Sequence, residues 1–320
     1  MGKNKFSYYF NNYLQLLIPR TLFQGAFKRI RNNMHNYDLA VIMERVNYYN
    51  KLEPLSDLDA DAVKIAEFKY RKKLNTYFFD LFRYLRYFPK NCRFHYLFGD
   101  ITYVPNVPSF VKSRPIGSSN SNSVLFKLNR IRHFNFVNDK LSFENKKDML
   151  FGRAKVFKSL ENRELFFAKY FNHPLCDIGK INDNGLNPDW LVPKASIRKH
   201  LEYKFILSLE GNDVATNLKW ILSSNSLAVM PRPKYETWFM EGCLIPDFHY
   251  VAIKDDFSDL EEKLEYYIKN TDEALKIIEN AHKHVECFLD KDQEELVSFL
   301  TMESYFKRTM NDYIPYLLKN

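Results

Sequence analysis

From Lys204 to Pro231 the chain reads KFILSLEGNDVATNLKWILSSNSLAVMP. An apolar run is followed by a Gly-Asn-Asp loop, apolar positions at 214, 218, 221 and 222, and a second apolar run. The two runs predict buried strands, and the three-to-four-residue spacing between them predicts a helix from Val214 to Leu222. Upstream, FGRAKVFKSLENRELFFAKYF predicts a short strand, Gly152-Arg153, and then a helix. From about residue 146 to 285 strand and helix patterns alternate three times. That alternation predicts an α/β domain with a mostly parallel sheet.

The first ninety residues read mainly as helix. The stretch DADAVKIAEFKYRKKLNTYFFDLFRYLRYF carries a long apolar repeat, with Ser56 and Asp57 as natural N-caps. CRFHYLFGDITYVP predicts a strand running into Gly99-Asp100. The proline- and Ser/Asn-rich stretch from 105 to 122 predicts a loop, followed by a strand. The composition turns polar near residue 145. Three regions follow: 1–145, an N-terminal domain with a helical start; 146–290, a second α/β domain; and 291–320, a helical tail.

Hydrophobic content of 46% supports a sizeable core, and nine glycines make each one a marker of a special backbone position. The formal charge of +8 fits nucleic acid, an anionic membrane or a phosphorylated substrate. Nucleic acid is disfavoured, because basic and aromatic residues do not interleave on one face. The positive charge is scattered, apart from the acid-free segment holding Lys112, Arg114, Lys127, Arg130 and Arg132. Four widely spaced cysteines lack zinc-site spacing and read as reduced thiols of a cytoplasmic protein. No apolar run is long enough to span a membrane. The aromatic and basic N-terminus, with Tyr8, Tyr9, Phe10, Tyr13, Leu16 and Leu17 among Lys3, Lys5, Arg20, Lys28, Arg29 and Arg31, suits peripheral contact with an anionic membrane or packing on the body.

Neither G-x-G-x-x-G nor a P-loop is present. In a parallel α/β unit the ligand lies beyond the carboxyl ends of the strands, which selects the loop Gly211, Asn212, Asp213. Free N–H groups at the start of the next helix form an anion site there, beside Thr216, Asn217 and Lys219. One helix terminus and one lysine suit a diphosphate. Glu236 is read as opening an apolar helix after the next strand, where a carboxylate can bind ribose hydroxyls. Asp100, a carboxylate among cations, stays ionised and can accept a proton from an attacking hydroxyl. Arg153 can clamp a phosphate bidentately. The D-x-D spacing in DLDAD, Asp57 to Asp61, reads as a helix start rather than a metal site.

These pieces, FGDITYVPNVPSFVKSRPI, FGRAKVFK, HPLCDIG and the long block from Tyr203 to Val251, resemble glycosyltransferase family 90, in colinear order over roughly residues 90 to 285. The likeness is to the bacterial enzymes of lipopolysaccharide core synthesis and, more distantly, to protein O-glucosyltransferases and capsule xylosyltransferases. It implies a GT-B architecture, two Rossmann-like domains facing across a cleft, and an inverting, metal-independent transfer from a UDP-sugar to a glycan or glycolipid hydroxyl, without a cofactor. It also implies Asp100 as the base, and Arg153, Asn217, Lys219 and Glu236 on the nucleotide sugar. Lys219 stands where the eukaryotic members have arginine, which keeps the charge and loses the fork. Lys112 and Arg114 are expected on the acceptor side.

Overall fold

The computed structural model describes residues 5–19, 30, 32, 34–70, 74–311 and 313. It contains two compact units. The parallel-sheet unit holds His133–Lys234 and Glu241–Cys287; the aromatic unit holds Lys3–Arg132, Tyr235–Met240 and Phe288–Asn320.

In chain order the strands of the aromatic unit's first part are β1 (Val63–Lys64), β2 (Arg93–Leu97), β3 (Ser109–Val111), β4 (Ser113–Pro115) and β5 (Ser123–Leu125). Then come β6 (Lys147–Ala154), β7 (Cys176–Lys180), β8 (Tyr203–Leu207), β9 (Leu227–Met230), β10 (Tyr235–Thr237) and β11 (Val251–Ala252).

The parallel-sheet unit bears out the α/β alternation. Its five strands are all parallel, in the order β7-β6-β8-β9-β11. The chain winds outward from β6 to β7 and then crosses back to begin the other half at β8. The strand order therefore reverses between β6 and β8, the point at which open α/β sheets bind ligands. Leu150, Phe205, Leu207, Leu227, Val229 and Val251 bury one continuous surface against Phe166 and Phe167 of the helix Glu161–Tyr170 and Leu260 and Leu264 of Leu260–Lys269. Gly152 permits the close packing inside this sheet: a Cβ there would lie 3.0 Å from Leu207 Cβ and 3.3 Å from Ile178 Cγ2.

The aromatic unit has a four-stranded sheet, β1-β2-β3-β5, in which β2, β3 and β5 are parallel and β1 is antiparallel. Helices Leu39–Tyr49, Asn75–Leu85 and Lys291–Thr309 also belong to it. Rings fill its interior. Tyr49 stacks on Trp238 with centroids 3.8 Å apart, and Phe110 contacts Phe126 and Tyr305. The β10 segment pairs antiparallel with β4, so Tyr235–Met240 belongs to this unit although its flanks belong to the other.

Three expectations need correction. The long helix from Asp57 is absent, and Ser56 and Asp57 cap nothing helical. The main chain of 65–66 donates instead to Cys92 and Lys90 beside β2, which removes those N–H groups from any helix. Leu74 takes a left-handed φ of 60° at the start of the helix Asn75–Leu85. The span read as one loop contains β3 and β4, three residues each and too short to show alternation. Glu236 opens no helix; it sits in β10 opposite Arg114.

Candidate active site

At the switch point the sequence leaves two loops, one after β6 and one after β8, and a single guanidinium ties them together. Arg163 sits in the first turn of the helix Glu161–Tyr170. Its Nη1 donates to the carbonyl of Lys155 (3.0 Å), its Nη2 to Leu209 (2.9 Å) and its Nε to Glu210 (3.1 Å). All three acceptors are main-chain oxygens, and among the described residues no carboxylate pairs with it. Burial alone pushes its pKa down to about 10. A side chain at Gly211 would begin 3.2 Å from Nη2, so glycine keeps the loop against the cation. Three of its five N–H groups are used. A partly buried cation without a counter-ion, beyond the carboxyl ends of parallel strands, is chemically suited to a phosphate group. Exposed Lys155, Lys158 and Arg232 add positive charge along the same strand ends.

The predicted loop is here, in a different form. Gly211 N–H donates to the Asp213 carbonyl (3.1 Å) in a tight turn, Asn212 is exposed and Asp213 is buried. Asn217 donates from its side chain to the Leu207 carbonyl (2.9 Å) and accepts from Ser208 Oγ (3.3 Å), which pins the chain to the end of β8. Residues 212–217 are consequently turns, with Thr216 half-buried among them. The helix is only Leu218–Leu222, shorter than the expected 214–222. Lys219 is wholly buried and paired with Glu241 at 2.6 Å. Arg153 folds over the Phe151 ring and pairs with Asp177 at 2.7 Å. Burial disfavours the Asp177 carboxylate, but the Tyr203 hydroxyl and Arg153 outweigh it and hold its pKa below the usual range. Both cations expected on a diphosphate thus have carboxylate partners within the protein.

The remaining candidates lie in the aromatic unit. Asp100 follows Gly99, whose φ of +114° favours glycine, and its carboxylate accepts from Lys112 Nζ at 2.5 Å. Lys112 is buried, whereas the Asp100 side chain keeps 32% of its surface exposed. Arg114 is fully buried and pairs with Glu236 at 2.7 Å, and its other donors go to the carbonyls of Tyr48, Tyr49 and Ser123. The Tyr48 hydroxyl takes the second oxygen of Glu236, so both carboxylate oxygens are engaged. Lys127 pairs with Glu294 and Arg130 with Asp80, which means that the basic segment is largely neutralised by carboxylates distant in sequence. Asp59 of DLDAD contacts His95 at 2.7 Å, and no trio of His, Cys, Asp or Glu among the described residues is grouped to hold a metal ion.

The structure therefore sets Gly211 against Arg163 and ties Asn217 to the end of β8, and it pairs Asp100 with Lys112 and Arg114 with Glu236. Arg163 is the residue that sequence reading passes over. Its signal is a cation at position 163 in register with Phe166, Phe167 and Tyr170, on the apolar face of the helix, where a solvated arginine does not belong.

The family model for glycosyl transferase family 90 matches residues 142–312. The chain is 44% identical over 268 residues, 83% of each sequence, to O-glucosyltransferase LpsA of Dichelobacter nodosus. Over 77 residues it is 35% identical to protein O-glucosyltransferase 3 of Homo sapiens, covering 24% of this chain and 15% of that protein.

Proposed function

The chain belongs to glycosyltransferase family 90 and is a glycosyltransferase, and from that premise we propose that it moves a sugar from a UDP-sugar to a hydroxyl of a lipopolysaccharide or lipooligosaccharide core. Glucose is the sugar proposed, after the name of the relative that is 44% identical over 268 residues. The reading takes the chain as a GT-B enzyme, with the parallel-sheet unit binding the donor and the aromatic unit supplying the acceptor chemistry.

Arg163 carries the donor assignment. Among the described residues its charge has no carboxylate partner, unlike those of Arg153 and Lys219, and it lies where the strand order reverses. In the proposed step an acceptor oxygen attacks the anomeric carbon from the face opposite UDP. The new C–O bond forms as the bond to the diphosphate breaks, with inversion, and the bonding pair leaves on UDP. Asp100 takes the hydroxyl proton. The buried ammonium of Lys112 fixes the orientation of that carboxylate, and Arg163 stabilises the charge growing on the diphosphate. With a guanidinium in that place the transfer needs no divalent metal.

The test is turnover of UDP-glucose with a core oligosaccharide acceptor in excess chelator. Transfer with inverted anomeric configuration is expected. Loss of transfer on chelation, restored by a divalent ion, would overturn the metal-free mechanism.

A further inference from the structure

The N-terminal helix Lys5–Leu17 has two different sides. Tyr8, Tyr9, Asn12 and Gln15 form one. The Tyr8 hydroxyl donates to Asp80 at 2.8 Å, the Tyr9 hydroxyl reaches Asn75, and Gln15 accepts from Arg86 at 3.0 Å. Tyr13, at the border, meets Tyr70 and Phe79. This polar-aromatic side is what holds the helix to the aromatic unit.

On the opposite side stand Phe6, Phe10, Leu14 and Leu17, spaced four, four and three residues apart and hence aligned along one stripe. They are 75%, 53%, 45% and 80% exposed. Phe6 and Phe10 stack on each other at 6.0 Å, and Ile18 extends the stripe past the helix end. The usual arrangement is therefore inverted: hydrogen-bonding groups face the protein and the most apolar residues face outward. Packing on the body, which the sequence also allowed, holds the tyrosine side, while the stripe keeps about half or more of its surface exposed.

Charge identifies what covers it. The aromatic unit contains 26 lysines and arginines against 16 acidic residues, a formal charge of +10; the parallel-sheet unit contains 21 against 23, a charge of −2. Lys5 on the helix and Lys69, next to the Tyr70 that Tyr13 touches, are exposed. No helix among the described residues is long and apolar enough to cross a membrane. An apolar stripe on a helix belonging to a unit of charge +10 is complementary to a surface that is oily within and anionic outside.

We propose that the Phe6, Phe10, Leu14, Leu17 stripe lies in the headgroup layer of an anionic lipid bilayer, where it brings the enzyme to a membrane-embedded acceptor. This inference rests on the glycolipid acceptor above for its purpose, but its test uses no sugar. The full chain is sedimented with vesicles of phosphatidylcholine alone and with about one third phosphatidylglycerol, at low and at high salt. Binding to the anionic vesicles that weakens in salt is expected. The variant F6Q/F10Q/L14Q/L17Q keeps the docking side and the helix propensity, and is expected to bind roughly tenfold or more weakly with unchanged UDP affinity and circular dichroism. Three results would overturn the proposal: no binding by the native chain, equal binding by the variant, or a native dimer that the substitutions dissociate without any vesicle binding.

Discussion

The paired cations of the aromatic unit and the cation at the switch point of the parallel-sheet unit are held in opposite ways. In the aromatic unit Arg114 is matched by Glu236, Arg45 and Lys127 by Glu294, and Arg130 by Asp80. Trp238 Nε1 also donates to Glu294, so this one carboxylate joins the helix Leu39–Tyr49, the chain after β5, the β10 segment and the last helix. At the switch point of the parallel sheet, Arg163 is held by three carbonyls, and no carboxylate among the described residues cancels its charge. A buried ion pair repays its desolvation only within the fold and has little charge left for a ligand. An arginine fixed by neutral groups is equally rigid and keeps its charge available. What a cation can do is decided by its partner, and sequence position alone does not reveal the partner.

The largest expected effect is at the carboxylate that breaks the aromatic unit's rule. Unlike Glu236, Glu294 and Asp80, Asp100 reaches solvent from its ion pair. Asp100→Asn is expected to lower kcat roughly 100- to 10,000-fold with UDP affinity unchanged, measured by turnover and calorimetry. Equal turnover would remove it as the base. Next, Glu236→Gln leaves Arg114 buried without its charge partner, and urea unfolding should show a loss of about 3–5 kcal/mol. If the glutamate instead held the ribose, stability would be nearly unchanged while UDP affinity fell. Arg163→Gln gives up charge-assisted hydrogen bonds to a phosphate, and UDP should bind roughly 10- to 100-fold more weakly. The smallest effect is with pH. Burial opposes ionisation of Glu294, but Lys127 and Arg45 outweigh it and hold its folded-state pKa below the ordinary value. Its contribution is complete above the unfolded pKa near 4.5 and is lost as pH falls through the lower folded value. Thermal melts of the native chain should fall below that pH more steeply than those of Glu294→Gln.

The parallel sheet was legible in the sequence because its central strands, YKFIL and LAVM, are short and mostly apolar runs bounded by helical spacing, as Lys204 to Pro231 illustrates. The Gly211–Asn217 loop was legible as a strand-end loop for the same reason. Its helix was not, because Asn217 bonds back to Leu207 and fixes the helix start at Leu218. The pairs Arg114–Glu236 and Arg45–Glu294 join residues 122 and 249 positions apart, a separation that no local pattern records. Apolar spacing from 62 to 68 was real, but the strand beside it took the main-chain donors. Arg163 had a local signal, a cation on an apolar helix face, which its flanking Glu161 and Glu164 disguise as an ordinary surface charge cluster.

In the proposed mechanism the guanidinium of Arg163 at the switch point holds the donor diphosphate. Calorimetric titration of UDP in excess EDTA, on the native chain and on Arg163→Gln and Lys219→Met, tests it most directly. Metal-free binding by the native chain is expected, with a loss of affinity of roughly tenfold or more in the folded Arg163→Gln protein and UDP affinity retained by whatever fraction of Lys219→Met stays folded. Native affinity in Arg163→Gln would contradict it.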